Sequence, residues 1–199
     1  MEETWRAKAE PLLESAKNRV SRLFEDPSWD EIRSLENLTL FRHPGSLAFD
    51  IYKSSIEIYK NPLTVFEYLN NPNNISRWGK RLKKLEVKQE TSGARLMYLQ
   101  LRSEGTMEDR ELLMVEKSFQ EMGNYYIVGS SIEEDVPVAA YHIRGNMLLH
   151  GFKVTSLGHN RCRVEYLIEL DTCGAAPKDS KEKIEQVIAT NLKNLFSVM

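Results

Sequence analysis

Much of what usually marks a function is missing from this sequence, and each absence removes a class. No run approaches the ~20 consecutive apolar residues of a membrane span. There is no Cys-x-x-Cys, and His43, His142, His150 and His159 show none of the close spacings of a zinc site. His142 and His150 would share a face of one strand only without an intervening bulge, so surface or satisfied histidines are the expectation. No Gly-x-Ser-x-Gly elbow, activated cysteine or phosphate-cradling glycine loop is visible. The formal charge of −2 supplies no positive field, so no nucleic-acid partner is expected. The acidic start, Met1-Glu2-Glu3-Thr4-Trp5, lacks the apolar core of a secretory signal.

Cysteine is scarce too. Cys162 and Cys173 stand at the ends of one expected strand, roughly 36 Å apart at ~3.3 Å per residue, too far to bridge unless the chain folds back between them. A reduced, cytoplasmic setting follows.

What is present suits one globular domain. At 199 residues the chain would bury roughly 70% of the surface its unfolded form exposes. Trp5, Ala9, Leu12, Leu13, Ala16, Val20, Leu23 and Phe24 recur at helical spacing, predicting a first amphipathic helix that Pro27 ends. Pro11 means that it begins near Glu10 or kinks there. Strands are expected over 39–42 and 47–58, joined by the turn His43-Pro44-Gly45. Asn61-Pro62 opens a short helix carrying Val65, Phe66 and Leu69, and another turn of helix surrounds Ile75–Trp78.

A series of strands follows, over 84–90, 94–102, 111–119, 125–132, 141–156 (bent near Gly145 or Gly151) and 161–171, with short gaps that favour antiparallel neighbours. In the last, Val164, Tyr166, Ile168 and Leu170 alternate with Arg163, Glu165 and Glu169, which reads as one dry and one wet face. After Cys173-Gly174-Ala175-Ala176-Pro177 the pattern switches to a final helix. Asp179 and Glu182 are at capping-box spacing, and Ile184, Val187, Ile188, Leu192, Leu195, Phe196 and Met199 form an apolar stripe. The expected architecture is α+β, a long curved antiparallel sheet whose apolar face the late helix must hide. The space between them is packed solid or hollow, and the pattern does not decide which.

Two polar residues sit where apolar ones belong. Asn191 lies on the apolar stripe, and Glu116 shares a strand face with Leu112 and Met114. A carboxylate facing a closed core needs a partner or loses its charge, whereas one facing a cavity can serve a ligand. Exposure at a sheet edge is the alternative. The basic run Arg77, Lys80, Arg81, Lys83, Lys84 and Lys88 would gain ~1 kcal/mol per charge at an anionic bilayer, but reads first as a solvated face shared with acids.

Four stretches then resemble the START domain (steroidogenic-acute-regulatory-related lipid transfer) family of the Bet v 1-like helix-grip superfamily. They are Asn71-Pro72-Asn73-Asn74-Ile75-Ser76-Arg77-Trp78, Glu108-Asp109-Arg110-Glu111-Leu112, Ile143-Arg144, and Asp171-Thr172-Cys173-Gly174-Ala175-Ala176-Pro177. The resemblance implies a helix-grip fold with an internal hydrophobic tunnel holding a single lipid, a sterol or phospholipid, and no cofactor, metal or catalysis. It divides a single domain over 1–199 into an N-terminal helix (1–27), a sheet with two short helices (28–177) and a C-terminal lid helix (178–199). Met97, Leu99, Leu101, Leu112, Met114 and Glu116 would line the tunnel, with Tyr166 and Ile168 from the last strand and Val187 and Asn191 from the lid. Arg144 would be the partner of Glu116. The loop Ser103–Asp109 resembles the gating loop. Phosphatidylcholine carriers of the family have aromatics at the positions of Leu99 and Leu112 and an arginine at that of Ile75. Sterol carriers have an arginine at that of Glu116, paired with an acid on the neighbouring strand. The implied protein is a monomeric carrier with transient membrane contact. The alternatives are an enzyme of the same superfold, a cyclase or hydrolase using Glu116 or His142, and a ligand-sensing module that binds a protein partner. The aliphatic wall, with no second titratable group in view, speaks against the enzyme.

Overall fold

The computed structural model describes residues 2–35, 37–45, 49–91, 93–103, 108–173 and 180–199; the side chains of 2–4 and 180–184 are outside that description. Helix α1 (Glu2–Glu25) runs unbroken through Pro11, on its exposed side, and buries Trp5, Ala9, Leu13, Ala16, Val20 and Phe24 at three- and four-residue spacing. Helix α2 (Pro62–Asn70) starts as its sequence implies, with Asn61 Oδ1 accepting the Leu63 N–H at 2.9 Å and Pro62 at the first position. A 3-10 turn (Pro72–Asn74) leads into the single-turn α3 (Ile75–Trp78), and α4 (Ser180–Val198) closes the chain.

Among the described residues ten strands form one curved sheet: β1 (Asp30–Leu35), β2 (Leu38–Pro44), β3 (Asp50–Ile58), β4 (Leu82–Thr91), β5 (Ala94–Leu101), β6 (Asp109–Glu121), β7 (Asn124–Ser131), β8 (His142–Arg144), β9 (Asn146–Gly158) and β10 (Arg161–Asp171). Their order is β1-β2-β3-β10-β9-β7-β6-β5-β4. All these neighbours are antiparallel; β8 lies off the path and pairs with β6 in parallel. The charged strand β1 carries no apolar alternation, which is why the sequence pattern passes over it. The expected single strand over 141–156 is two strands, broken at Gly145, whose N–H donates to Glu111 O at 2.9 Å. His142 and His150 therefore share neither strand nor site.

The sheet is covered on both sides, which corrects the expectation of one dry face. Inside, α4 lies on α3, β2 and β3 and brings Ile188, Leu192 and Leu195 into one apolar cluster with Ile56, Trp78, Phe152 and Tyr166. Outside, α1 sets Trp5, Ala9 and Leu13 on Leu96, Leu113 and Val115, and Val20 and Phe24 on Val128, Leu149 and Leu167. Glu169, expected in water, is fully buried beneath α1 and meets Arg19 at 2.5 Å. Close approach of the helix is what Gly151 permits: a Cβ there would stand 2.9 Å from Val20 Cγ2.

Candidate functional site

Between the concave face and α4 lies a hollow of about 220 Å³. Alternation on the strands decides its walls. Met97, Leu99 and Leu101 of β5, Leu112, Met114 and Glu116 of β6, and Tyr166 and Ile168 of β10 all line it, and Val187 and Asn191 of α4 face them. Ile75, Trp78 and Leu82 wall the α3 side. Most of this surface is apolar, with Leu99, Leu112 and Ile75 part of it.

The polar end is a buried cluster. Strand β6 is interior, so Glu116 is not at an edge; it is 4% exposed. Arg95, directly opposite on β5, donates through Nε (2.9 Å) and Nη2 to Glu116 Oε1, and through Nη1 to Asn70 O at 2.5 Å. His150 Nε2 lies 3.1 Å from Glu116 Oε2. Burial pushes the Glu116 carboxyl up, but the His150 hydrogen bond and the Arg95 charge outweigh it and hold the group below its ordinary value. The Tyr166 ring stacks on Phe152 at 4.4 Å and lies edge-on to His150 at 5.5 Å. Burial, and secondarily the Glu116 charge, push its phenol well up, so it stays a donor.

Arg144 is not in this cavity. It lies on the outer face, where Nε (2.9 Å) and Nη2 (2.6 Å) donate to Glu111 Oε1, so the expected Arg144–Glu116 pair is replaced by Arg95–Glu116. The parallel β8–β6 register puts Arg144 beside Glu111. Arg95 and His150 are the functional candidates that sequence reading missed, yet Arg95 shares parity with Met97, Leu99 and Leu101, as His150 does with Phe152 and Val154. They also remove the argument that Glu116 has no titratable neighbour.

At the other end Arg110 also lines the cavity and clamps main chain, donating to Thr172 O (2.6 Å), Glu108 O (2.6 Å) and Cys173 O (3.1 Å). The expected gating loop falls mostly on residues 104–107, outside the described residues, as do Asp179 of the capping pair, the side chain of Glu182 and the bend at 174–177. Half of the basic run is shared with acids: Lys83 meets Asp109, and Lys84 and Lys88 both meet Glu86. Cys162 and Cys173 are free, no metal-holding cluster occurs among the described residues, and no described helix is long and apolar enough to cross a membrane.

A curved sheet gripping a terminal helix over a lined hollow is the arrangement against which family membership can be judged, and residues 14–196 match the START domain family. This chain belongs to the START domain family. Among solved structures, this START domain is similar to human StAR-related lipid transfer protein 5 (TM-score 0.86, 13% identity, covering 92% of each chain). It is also similar to human STARD10 (TM-score 0.82, 16% identity, 92% of this chain and 78% of that one). The human StarD13 lipid transfer and protein localization domain follows (TM-score 0.76, 13% identity, 91% and 93%). At these identities the likeness is one of fold. Sequence comparison with curated proteins gives no significant match.

Proposed function

We propose that this START domain, acting as one unit over 1–199, takes up a single lipid or similar hydrophobic molecule in the inner cavity and carries it between membranes. The observation that supports this most is the aliphatic hollow closed by α4 and ending on the Arg95–Glu116–His150 cluster. Removing apolar ligand surface from water would drive uptake by about 25 cal/mol per Å². A volume of about 220 Å³ is below the roughly 300–1,000 Å³ of small-molecule sites, so a lipid enters as α4 yields.

Three hydrogen bonds occupy a carboxylate with about four acceptor positions, leaving room at Glu116 for one ligand donor. Together with the Tyr166 hydroxyl and Asn191, this polar end favours a neutral hydroxyl over a charged headgroup. The sterol-carrier pair of arginine and acid is present with both charges exchanged, as Glu116 and Arg95. In this reading the domain is a monomeric carrier in the cytoplasm and performs no chemistry.

One observation favours a second reading. Glu116, His150 and Tyr166 would supply acid–base groups to a bound substrate. Arg95 opposes it by holding the carboxylate in a permanent ion pair. The deciding experiment is transfer of fluorescent sterol and phospholipid between vesicles. Protein-dependent movement of at least one supports the carrier; capture followed by conversion of the ligand, or no movement of any, rejects it.

A further inference from the structure

A cleft of about 810 Å³ lies on the outer face, between α1 and the sheet, compared with about 220 Å³ inside. One side of α1 forms its wall through Lys8, Leu12, Ser15 and Arg19, residues three to four apart. Its floor is the place where β7 and β9 separate. Those strands pair from Tyr125–Val154 to Gly129–His150 and no further. Beyond that point the register of β9 shifts against β10 between Glu169 and Leu170, and the Met147 N–H turns to Ser131 Oγ at 2.8 Å. Ser130, on the outer side with Tyr126 and Val128, is left 8% exposed with a hydroxyl that has no hydrogen-bond partner among the described residues. A buried hydroxyl without a partner costs about 1–3 kcal/mol, a cost that a ligand at this site would remove.

Two guanidinium groups flank the same cleft. Arg144 uses Nε and Nη2 on Glu111 and Val136 O, and Arg19 uses Nη1 and Nη2 on Leu148 O and Glu169. Arg144 Nη1 and Arg19 Nε make no hydrogen bond among the described residues, and the two side chains stay 25% and 28% exposed. Their inner edges are fixed, so the outer N–H groups are pre-oriented. The carboxylate behind Arg144 does not compete for a guest's place: Glu111 is fully buried and accepts from Tyr98 Oη, Arg144 twice, and Ala139 N. Leu113 and Ile132 supply an apolar floor, and the Lys8–Glu134 pair (3.0 Å) closes the far end.

From these observations we infer a second ligand site in this outer cleft, for a small organic molecule with an apolar body and one carboxylate. The carboxylate would take the free N–H groups of Arg19 and Arg144 and the Ser130 hydroxyl. The site is separate from the inner cavity and does not depend on the carrier reading, although Gly145 and Met147 wall both.

Titrating the full-length ¹⁵N-labelled protein with benzoate tests it. Saturable shifts are expected at the Ser130, Ser131 and Ile132 amides and at the Arg19 and Arg144 Nε–H groups. Benzyl alcohol, without the charge, should bind about tenfold weaker. Ser15→Trp, at an exposed helix position, should remove the response and leave uptake by the inner cavity unchanged. Ser130→Ala, which breaks no hydrogen bond, should weaken benzoate about three- to tenfold. Absent shifts, shifts confined to residues around Met97 and Ile188, equal binding of benzyl alcohol, or full binding in both variants would each overturn the assignment.

Discussion

Arg95 meets Glu116 directly across the β5–β6 register, and both of its contacts fall on one carboxylate oxygen, Oε1. Its remaining contacts run to Asn70 O and Oδ1, so a single guanidinium ties the end of α2 to the floor of the cavity. Removing Arg95 alone would strand a buried carboxylate. Arg95→Met should therefore cost about 3–5 kcal/mol in urea unfolding, whereas Arg95→Met with Glu116→Leu should recover most of it. Equal losses in the single and double variants would show that the pair is not the cause.

Two buried carboxylates, one on each face of β6, set the acid response. Glu116 and Glu111 both have folded pKa values below the ordinary 4.5, burial being outweighed at Glu116 by His150 and Arg95 and at Glu111 by Tyr98 and Arg144. A carboxylate lowered in the folded state contributes stability that is complete above its unfolded pKa and lost as pH falls through the folded one. The urea midpoint should fall below about pH 4.5, and fall less in Glu116→Gln than in the parent. Identical pH slopes would remove Glu116 from the explanation.

Val187 faces the strands across the hollow, so enlarging it fills space without removing any polar contact. Val187→Trp should abolish ligand uptake while changing stability by no more than the roughly 1–3 kcal/mol of overpacking. Uptake at the parental level, measured by fluorescent-lipid binding, would place the ligand elsewhere.

The approach of α1 to the outer face gives another test. Gly151→Ala would set a methyl group 2.9 Å from Val20 Cγ2 and should destabilise by about 1–3 kcal/mol, with Val20→Ala restoring part of the loss. Strict additivity in thermal unfolding would mean that the two residues do not meet.

Much of the inner site was legible because strand alternation is rigid: placing Met97, Leu99 and Leu101 inward commits Arg95 to the same face. The charged member of that series, Arg95, is the partner of Glu116, and an apolar pattern does not reveal it. The continuous run Leu112-Leu113-Met114-Val115 already signalled burial on both faces, which α1 and α4 supply from opposite sides. Arg144 could not be placed this way. Its partner is set by a parallel β8–β6 contact between segments that local periodicity does not connect. Glu169 departs from its pattern for a related reason: alternation places it on the outer face, and there α1 covers it instead of water. Whether the sheet enclosed a hollow depended on side-chain volumes summed over strands far apart in sequence.

Uptake through α4 is testable at its contact with α3, where Asn194 Nδ2 donates to Trp78 O at 3.2 Å. A disulfide engineered across this contact should stop lipid transfer when oxidised, retain preloaded ligand, and release the block on reduction. Transfer at the same rate in both redox states would exclude α4 as the door.

The most direct measurement is native mass spectrometry of the purified protein, followed by extraction of whatever travels with it. A discrete added mass, identified as one hydrophobic molecule and absent from Val187→Trp, is the expected result. A bare polypeptide mass that stays unchanged after incubation with lipid vesicles would contradict the carrier.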